Sequence, residues 1–169
     1  MEFKKTIELR HSVRHFLKQP IKNEKINSIL DVVNNCPSAG NLQSYKIYLI
    51  KKQDVKKELA AAALDQEFIA QAPIVMVFCA KQEECAAKYG ARGKNLYSLQ
   101  DATIAASYAQ LAAADLNIGT VWVGAFDSEK VKSVLRTSYL PVAIIPMGYY
   151  SEKSFLRERK QKSQIVEEI

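Results

Sequence analysis

Glycine is scarce in this chain: six residues in 169, about half the usual share. They stand at 40, 90, 93, 119, 124 and 148, and no two are one residue apart. A G-x-G-x-x-G dinucleotide loop is therefore excluded. A P-loop fails too, because Lys88 stands where its first glycine belongs and Asn95 follows Gly93-Lys94. Only two histidines are present, His11 and His15, and no His/Cys/carboxylate set has metal-ligand spacing. Cys36, Cys79 and Cys85 form no C-x-x-C pair, which points to reduced thiols rather than a disulfide framework or zinc knuckle. The longest apolar run, Ala72 to Ala80, is nine residues, whereas a membrane helix needs about 20. Residues 1–8 do not read as a signal sequence, so the expectation is a cytoplasmic protein with no membrane association. G-x-S-x-G is absent, and no pair of carboxylates stands out as acid and base. Chemistry, if the chain has any, is then expected from a bound cofactor.

Apolar residues at 48% and charged residues at 25% are ordinary values for a folded domain and exclude disorder for most of the chain. Residues 1–169 are read as a single domain, since no repeat, low-complexity tract or linker interrupts them. The formal charge of +6 is uneven. Residues 1–25 carry net +4, residues 46–60 net +3, and residues 61–150 net −1. The basic residues do not follow one helix and no nucleic-acid motif accompanies them, so nucleic acid is not expected as a partner. The lysines of 46–60 have no assigned role.

Patterning predicts a short helix over 3–9 and a second capped by Asn23, with Ile26, Ile29, Leu30 and Val33 on one face and Pro37 beyond its end. Tyr45–Lys51 alternates as a strand, Asp54 is placed as the cap of a helix reaching Ala63, and Ile74–Cys79 reads as a buried strand. Residues 95–117 give the longest helical stretch, with seven alanines between Ala102 and Ala114. Small side chains there suit high helix propensity or the close approach of another helix. A short strand over Thr120–Val123, a helix capped by Asp127 with Val131, Val134 and Leu135 inward, and a strand over Val142–Tyr149 follow. The irregular order favours α+β over a doubly wound sheet. The tail beyond 150 has no core face of its own and reads as frayed or docked on a neighbour.

Three polar segments hold candidate chemistry. Arg10, His11, Ser12 and Arg14 gather two guanidinium forks, an imidazole and a hydroxyl, a set suited to phosphate and equally to a solvated helix end. Pro37, Ser38, Asn41 and Gln43 form a loop whose amides both donate and accept, as the edge of a pyrimidine-like ring requires; an ordinary helix-to-strand loop has the same composition. Trp122, Val123, Gly124 and Ala125 place the only tryptophan beside a glycine that lets backbone approach a flat ligand, or that closes a core strand.

Together these segments resemble the nitroreductase-like flavoproteins, FMN-dependent oxidoreductases, over the whole chain. R-H-S-V-R-H-F at 10–16 resembles the family's N-terminal FMN motif, and C-P-S-A-G-N-L-Q at 36–43 its P-S-x-x-N-x-Q loop. The stretch from Asp101 to Gly119 is similar to its central helix, W-V-G-A-F-D at 122–127 to the segment after it, and G-Y at 148–149 with R-E-R-K at 157–160 to its C-terminal end. The resemblance implies a mostly antiparallel sheet flanked by helices, in an obligate homodimer whose C-terminal tails wrap the partner and whose FMN lies at the subunit interface. It implies that Arg10, His11, Ser12 and Arg14 line the phosphate, ribityl chain and pyrimidine end, and that Arg157 and Arg159 close on the phosphate. Ser38, Asn41 and Gln43 would reach the flavin of the other subunit. Trp122 to Ala125 would lie along the ring, with the Gly124 N–H facing its redox-active nitrogen. Two positions depart from the pattern: Ser44 replaces a common proline, and Asp65-Gln66-Glu67-Phe68 stands where an amide or lysine usually meets the ring.

The implied activity is transfer of hydride from NADH or NADPH through bound FMN to a small-molecule acceptor such as a nitroaromatic, a quinone or another flavin. No side chain acts as nucleophile, and Arg14 is the candidate for stabilising charge on the reduced flavin. The alternatives are other flavin chemistry on the same fold (dehalogenation, dehydrogenation or flavin breakdown) and a non-catalytic flavin carrier.

Overall fold

The computed structural model describes residues 2–151 and 158–169. Helix α1 (Phe3–Leu9) is followed by α2 (Asn23–Asn34), strand β1 (Tyr45–Ile50), α3 (Gln53–Ala62), the single turn α4 (Phe68–Gln71) and β2 (Ile74–Ala80). Then come α5 (Gln82–Arg92), α6 (Ser98–Asp115), β3 (Gly119–Thr120), α7 (Ser128–Leu135) and β4 (Leu140–Gly148). The strands form one sheet in the order β1-β2-β4-β3, and every strand pair is antiparallel. The expected α+β architecture, a mostly antiparallel sheet flanked by helices, is what the chain adopts.

The period of two in β2 divides the core between the two faces of the sheet. Ile74, Met76 and Phe78 point to one side, where Ala143, Ile145 and Met147 of β4 join them under α2 and α6. Val75, Val77 and Cys79 point to the other, with Ile144, against α3, α4 and α7. Both faces are covered, so β2 is buried along its whole length and no polar residue interrupts its apolar run. Full burial of a side chain such as Phe78 or Ile144 contributes about 1.5–3 kcal/mol. The alanines of α6 seat that helix closely: Ala105, Ala106, Ala109, Ala112 and Ala113 join the core, and α2 packs beside them.

The second sheet edge is built by close approach. Val13 N–H donates to the Thr120 carbonyl at 3.0 Å, and Ser12 pairs with Thr120 in a parallel bridge, so the N-terminal segment lies along β3. A Cβ on Gly119 would meet Val13 at 2.8 Å and the Tyr150 ring at 2.6 Å. One on Gly148 would meet Phe16 at 2.8 Å and Pro73 at 2.7 Å. These two glycines let residues 10–16 cross the sheet edge.

Asp127 caps α7 as expected, accepting from the N–H groups of Glu129 and Lys130 at 3.0 and 3.1 Å. Two other expected caps do not form. Lys22, with extended backbone, occupies the position before α2, and Asn23 is its first residue, accepting instead from Lys51 Nζ at 2.9 Å. Asp54 lies inside the first turn of α3, after Lys52. The long helix read over 95–117 is regular only from Ser98 to Asp115; a π-helical turn, Gly93–Tyr97, joins it to α5, which patterning left unread. Gly90, at φ 57° and ψ −145°, breaks the periodicity there. The strand expected over Thr120–Val123 shortens to Gly119–Thr120, with Val123 reaching β4 only through an isolated bridge to Ile144. Among the described residues, no helix is long and apolar enough to cross a membrane, and no group of His, Cys, Asp or Glu is arranged to hold a metal ion.

Candidate functional site

Arg10 ends α1, and His11 turns the chain toward β3. His11 Nδ1 lies 2.8 Å from the Leu9 carbonyl, which only accepts, so Nδ1 carries the hydrogen. The ring stacks edge-on against Tyr150 with centroids 5.2 Å apart. His11 Nε2 is buried without a hydrogen-bond partner, in a small cleft lined by Arg10, Gly119, Thr120 and Tyr150. An unpaired buried nitrogen costs about 1–3 kcal/mol unless a ligand satisfies it. Among the described residues no carboxylate pairs with Arg10 or Arg14. Ser12 is exposed beside them.

Arg14 carries the N-terminal segment to a second one. Its guanidinium carbon lies 5.9 Å from the centroid of the Phe68 ring. Two residues before Phe68, the Gln66 amide donates to the carbonyls of Ala63 at 2.8 Å and Ala125 at 3.1 Å. Gln66 thus braces the loop that runs from Trp122 to Ala125. In that loop Trp122 is half-buried against the α2/α6 side of the core, and Val123 is locked to Ile144 by two 3.0 Å backbone bonds. Gly124 and Ala125 are exposed. Among the described residues a Cβ on Gly124 would meet only the Trp122 indole, at 3.4 Å, so none of them fills the space beside it. Arg10 to Arg14, Gln66, Phe68 and Trp122 to Ala125 are therefore linked through successive contacts.

The Pro37–Gln43 loop is built elsewhere, on the first turn of α6. Asp101, buried, accepts from Ala39 N–H at 2.9 Å, Ser44 N–H at 3.3 Å and the Ser44 hydroxyl at 2.6 Å. Ser38 Oγ accepts from Gln43 N–H at 3.0 Å, and Gln43 Nε2 donates to the Asn34 carbonyl at 3.2 Å. These bonds hold Gly40, Asn41 and Gln43 at φ of 53°, 57° and 50°. Left-handed backbone at a non-glycine residue costs about 1 kcal/mol or more, and such strain clusters at ligand sites. Pro37, Ser38 and Ala39 also line a cleft of about 760 Å³ with Tyr89, Tyr97, Leu99 and Ile104.

Position along α6 separates the two groups. Thr120, beside Ser12, accepts from Gln110 Nε2 at 3.2 Å, whereas the Ser38 loop rests on Asp101. Nine residues of helix are about 14 Å. Of the tail arginines, Arg157 lies outside the described residues, and Arg159 is exposed and makes no hydrogen bond to Arg10, His11 or Arg14. Residues 158–169 are exposed throughout, including Ile165, Val166 and Ile169.

Sequence reasoning missed the parts that hold these segments: Asp101 as an anchor, Phe68 under Arg14, and the aromatic pair Tyr89 and Tyr97, whose rings meet edge-on at 5.3 Å. A lone acid at the head of the alanine-rich helix is the sequence signal for Asp101. Within the stretch Asp65-Gln66-Glu67-Phe68, it is the Gln66 side chain that bonds to Ala125.

Residues 7–67 and 60–149 match the model of the Nitroreductase family. The chain is 29% identical to a protein of Methanocaldococcus jannaschii named as a nitroreductase, over 82% of this chain and 86% of that one. It is 26% identical to the FMN reductase (NAD(P)H) of Bacillus subtilis strain 168, over 85% of this chain and 62% of that one. The crystal structure of a nitroreductase family protein from Streptococcus pneumoniae TIGR4 superposes with a TM-score of 0.90 at 21% identity, covering 99% of this chain and all of that one; it establishes a shared fold.

Proposed function

The chain belongs to the nitroreductase family, and from that premise we propose that it is an FMN-dependent oxidoreductase working as a homodimer. It takes electrons from NADH or NADPH and delivers them to a small-molecule acceptor. The observation that carries this reading is the unpartnered His11 Nε2 beside Arg10, at a recess of about 10 Å³ where one polar atom of a ligand would satisfy it. The open side of Gly124 and the left-handed Asn41 and Gln43 fit the same ligand.

Arg10, His11 and Ser12 would hold the phosphate and ribityl chain of FMN, with Arg157 and Arg159 closing from the tail. Arg14 would face the pyrimidine end, and Trp122 to Ala125 the ring. FMN, when bound, supplies two-electron chemistry between nicotinamide and acceptor. The chain's own work is to bind, orient and tune. Arg14 brings fixed positive charge to the edge where negative charge grows, and it is held on Phe68 before that charge appears. Gln66 holds the Ala125 carbonyl, and so ties the loop that carries Gly124 to the turn before α4.

The homodimer completes the site. Within one chain the Ser38–Gln43 loop stands on the other half of α6 from Arg10, so its groups would serve the flavin of the second subunit. Phe3 and Ile7, one turn apart on α1, are 74% and 46% exposed, and Ile165 and Val166 of the tail are 67% and 65% exposed. These apolar surfaces suit tails that wrap a partner. Three buried free cysteines suit a reducing, cytoplasmic setting.

The purified protein is expected to be yellow, to run at twice the chain mass and to oxidise NADH or NADPH when a quinone, nitroaromatic or flavin is added. A colourless monomer that takes up no added FMN would overturn the reading.

A further inference from the structure

The lysines of 46–60 are not used by the site above, yet two of them line a cleft that adjoins it. The cleft, about 560 Å³, lies between α3, α4 and the segment after Arg14. Its charged lining is Lys18, Lys56, Lys57 and Glu67; Gln53 and Gln71 add amides, and Phe16 and Pro73 add apolar wall. Phe16 is two residues past Arg14, and Glu67 precedes the Phe68 ring on which Arg14 rests.

Lys56 is the unusual member. It is only 5% exposed, and its ammonium donates to the Ala72 carbonyl at 2.6 Å. An ammonium has three donors, and here one is used. Among the described residues no carboxylate pairs with Lys56, Lys57 or Lys18. A buried cation without a counter-charge is costly, and desolvation draws the Lys56 pKa below the ordinary lysine value of 10.5. Three cations against one carboxylate leave the cleft with excess positive charge, and low-dielectric walls concentrate it.

We propose that this cleft is a phosphate-monoester subsite, in which Lys56 meets the anion from below and Lys18 and Lys57 from its rim. Inorganic phosphate and the extra ribose phosphate of NADPH share this chemistry. The second source rests on the nicotinamide-linked reaction proposed above, and it would make the cleft the part of the site that favours NADPH over NADH. The volume exceeds that of a lone phosphate and leaves room for an attached sugar.

The test titrates FMN-loaded protein with inorganic phosphate by calorimetry, so that the Arg10 cleft is already filled. The titration is repeated in the presence of 2′,5′-ADP. Lys18→Gln/Lys57→Gln changes only the rim, and Lys56→Met, checked for folding by circular dichroism, removes the buried charge. Loss of a charge-assisted bond predicts phosphate binding weakened about tenfold in each variant. Competition by 2′,5′-ADP, with a raised KM for NADPH and an unchanged KM for NADH in the rim variant, identifies the ribose phosphate as the source. Weakened phosphate binding without competition identifies free phosphate, and the subsite stands. Phosphate affinity within twofold of the parent in the rim variant, or no phosphate binding to the parent, overturns the proposal. Flavin uptake is read separately from the visible spectrum, so a protein that binds no FMN refutes the proposed function while the parent-to-variant difference still reports on the cleft.

Discussion

The side-chain amide of Gln66 donates to the carbonyl oxygen of Ala125 at 3.1 Å, and that bond couples the turn before α4 to the loop carrying Gly124. Gln66 therefore braces backbone. Gln66→Ala should weaken FMN binding about fivefold, the worth of one ordinary hydrogen bond, with little change in melting temperature. Fluorescence titration of apoprotein with FMN measures it; an unchanged affinity would remove Gln66 from the site.

Asp101→Ala should be far more damaging. It strips the acceptor from Ala39 N–H, Ser44 N–H and the Ser44 hydroxyl, and the Ser44 donors are buried. A loss of about 3 kcal/mol is expected in urea unfolding. Asp101→Asn, which keeps one oxygen, should lose less. Equal stability of parent and Asp101→Ala would show that the loop does not depend on this anchor.

Arg14→Ala should weaken FMN binding or lower the midpoint potential of the bound flavin. The guanidinium has no carboxylate partner among the described residues, so its removal leaves no orphaned charge to confuse the result. Anaerobic reduction against reference dyes reads the potential. If affinity and potential both stay at parent values, Arg14 does not tune the flavin.

Alkaline stability follows from Cys79. Burial pushes its thiol from an ordinary 9.0 up to about 12, so the native state holds a proton that the unfolded chain releases above pH 9. A raised pKa contributes stability that is complete below 9.0 and is lost as pH rises toward 12. The slope from this one group approaches about 1.4 kcal/mol per pH unit. Burial raises the Tyr45 phenol in the same direction. Cys79→Ala should flatten the decline in unfolding free energy between pH 9 and 12 relative to its own value at pH 7. A parallel decline in both proteins would contradict the assignment.

Ile165→Asp with Val166→Asp should shift the solution mass toward the monomer at low micromolar concentration. Both side chains are exposed in one chain, and a partner would have to bury them. Light scattering that shows no difference would argue against a tail-mediated dimer.

Local patterning carried much of the fold. Alternation in Tyr45–Ile50 and the alanine face of α6 are set by repeats of two and 3.6 residues along the chain, and the short, β-branched apolar run of β2 selects a strand by its composition. The scarcity of glycine excluded a backbone phosphate loop, and the order of the polar motifs indicated the family. Other features belong to space. Asp101 and Ser44 are 57 residues apart in the chain, Gln66 and Ala125 59, and nothing local distinguishes those side chains from solvated ones. Asn23 and Asp54 show the converse, since good capping residues stood within a turn of helix starts that lysine backbone occupied instead. The residues alone determined which groups were available for chemistry. Only the tertiary structure decided which of them meet, because a hydrogen bond needs two groups within about 3 Å, and the packing of segments far apart in the chain sets those distances.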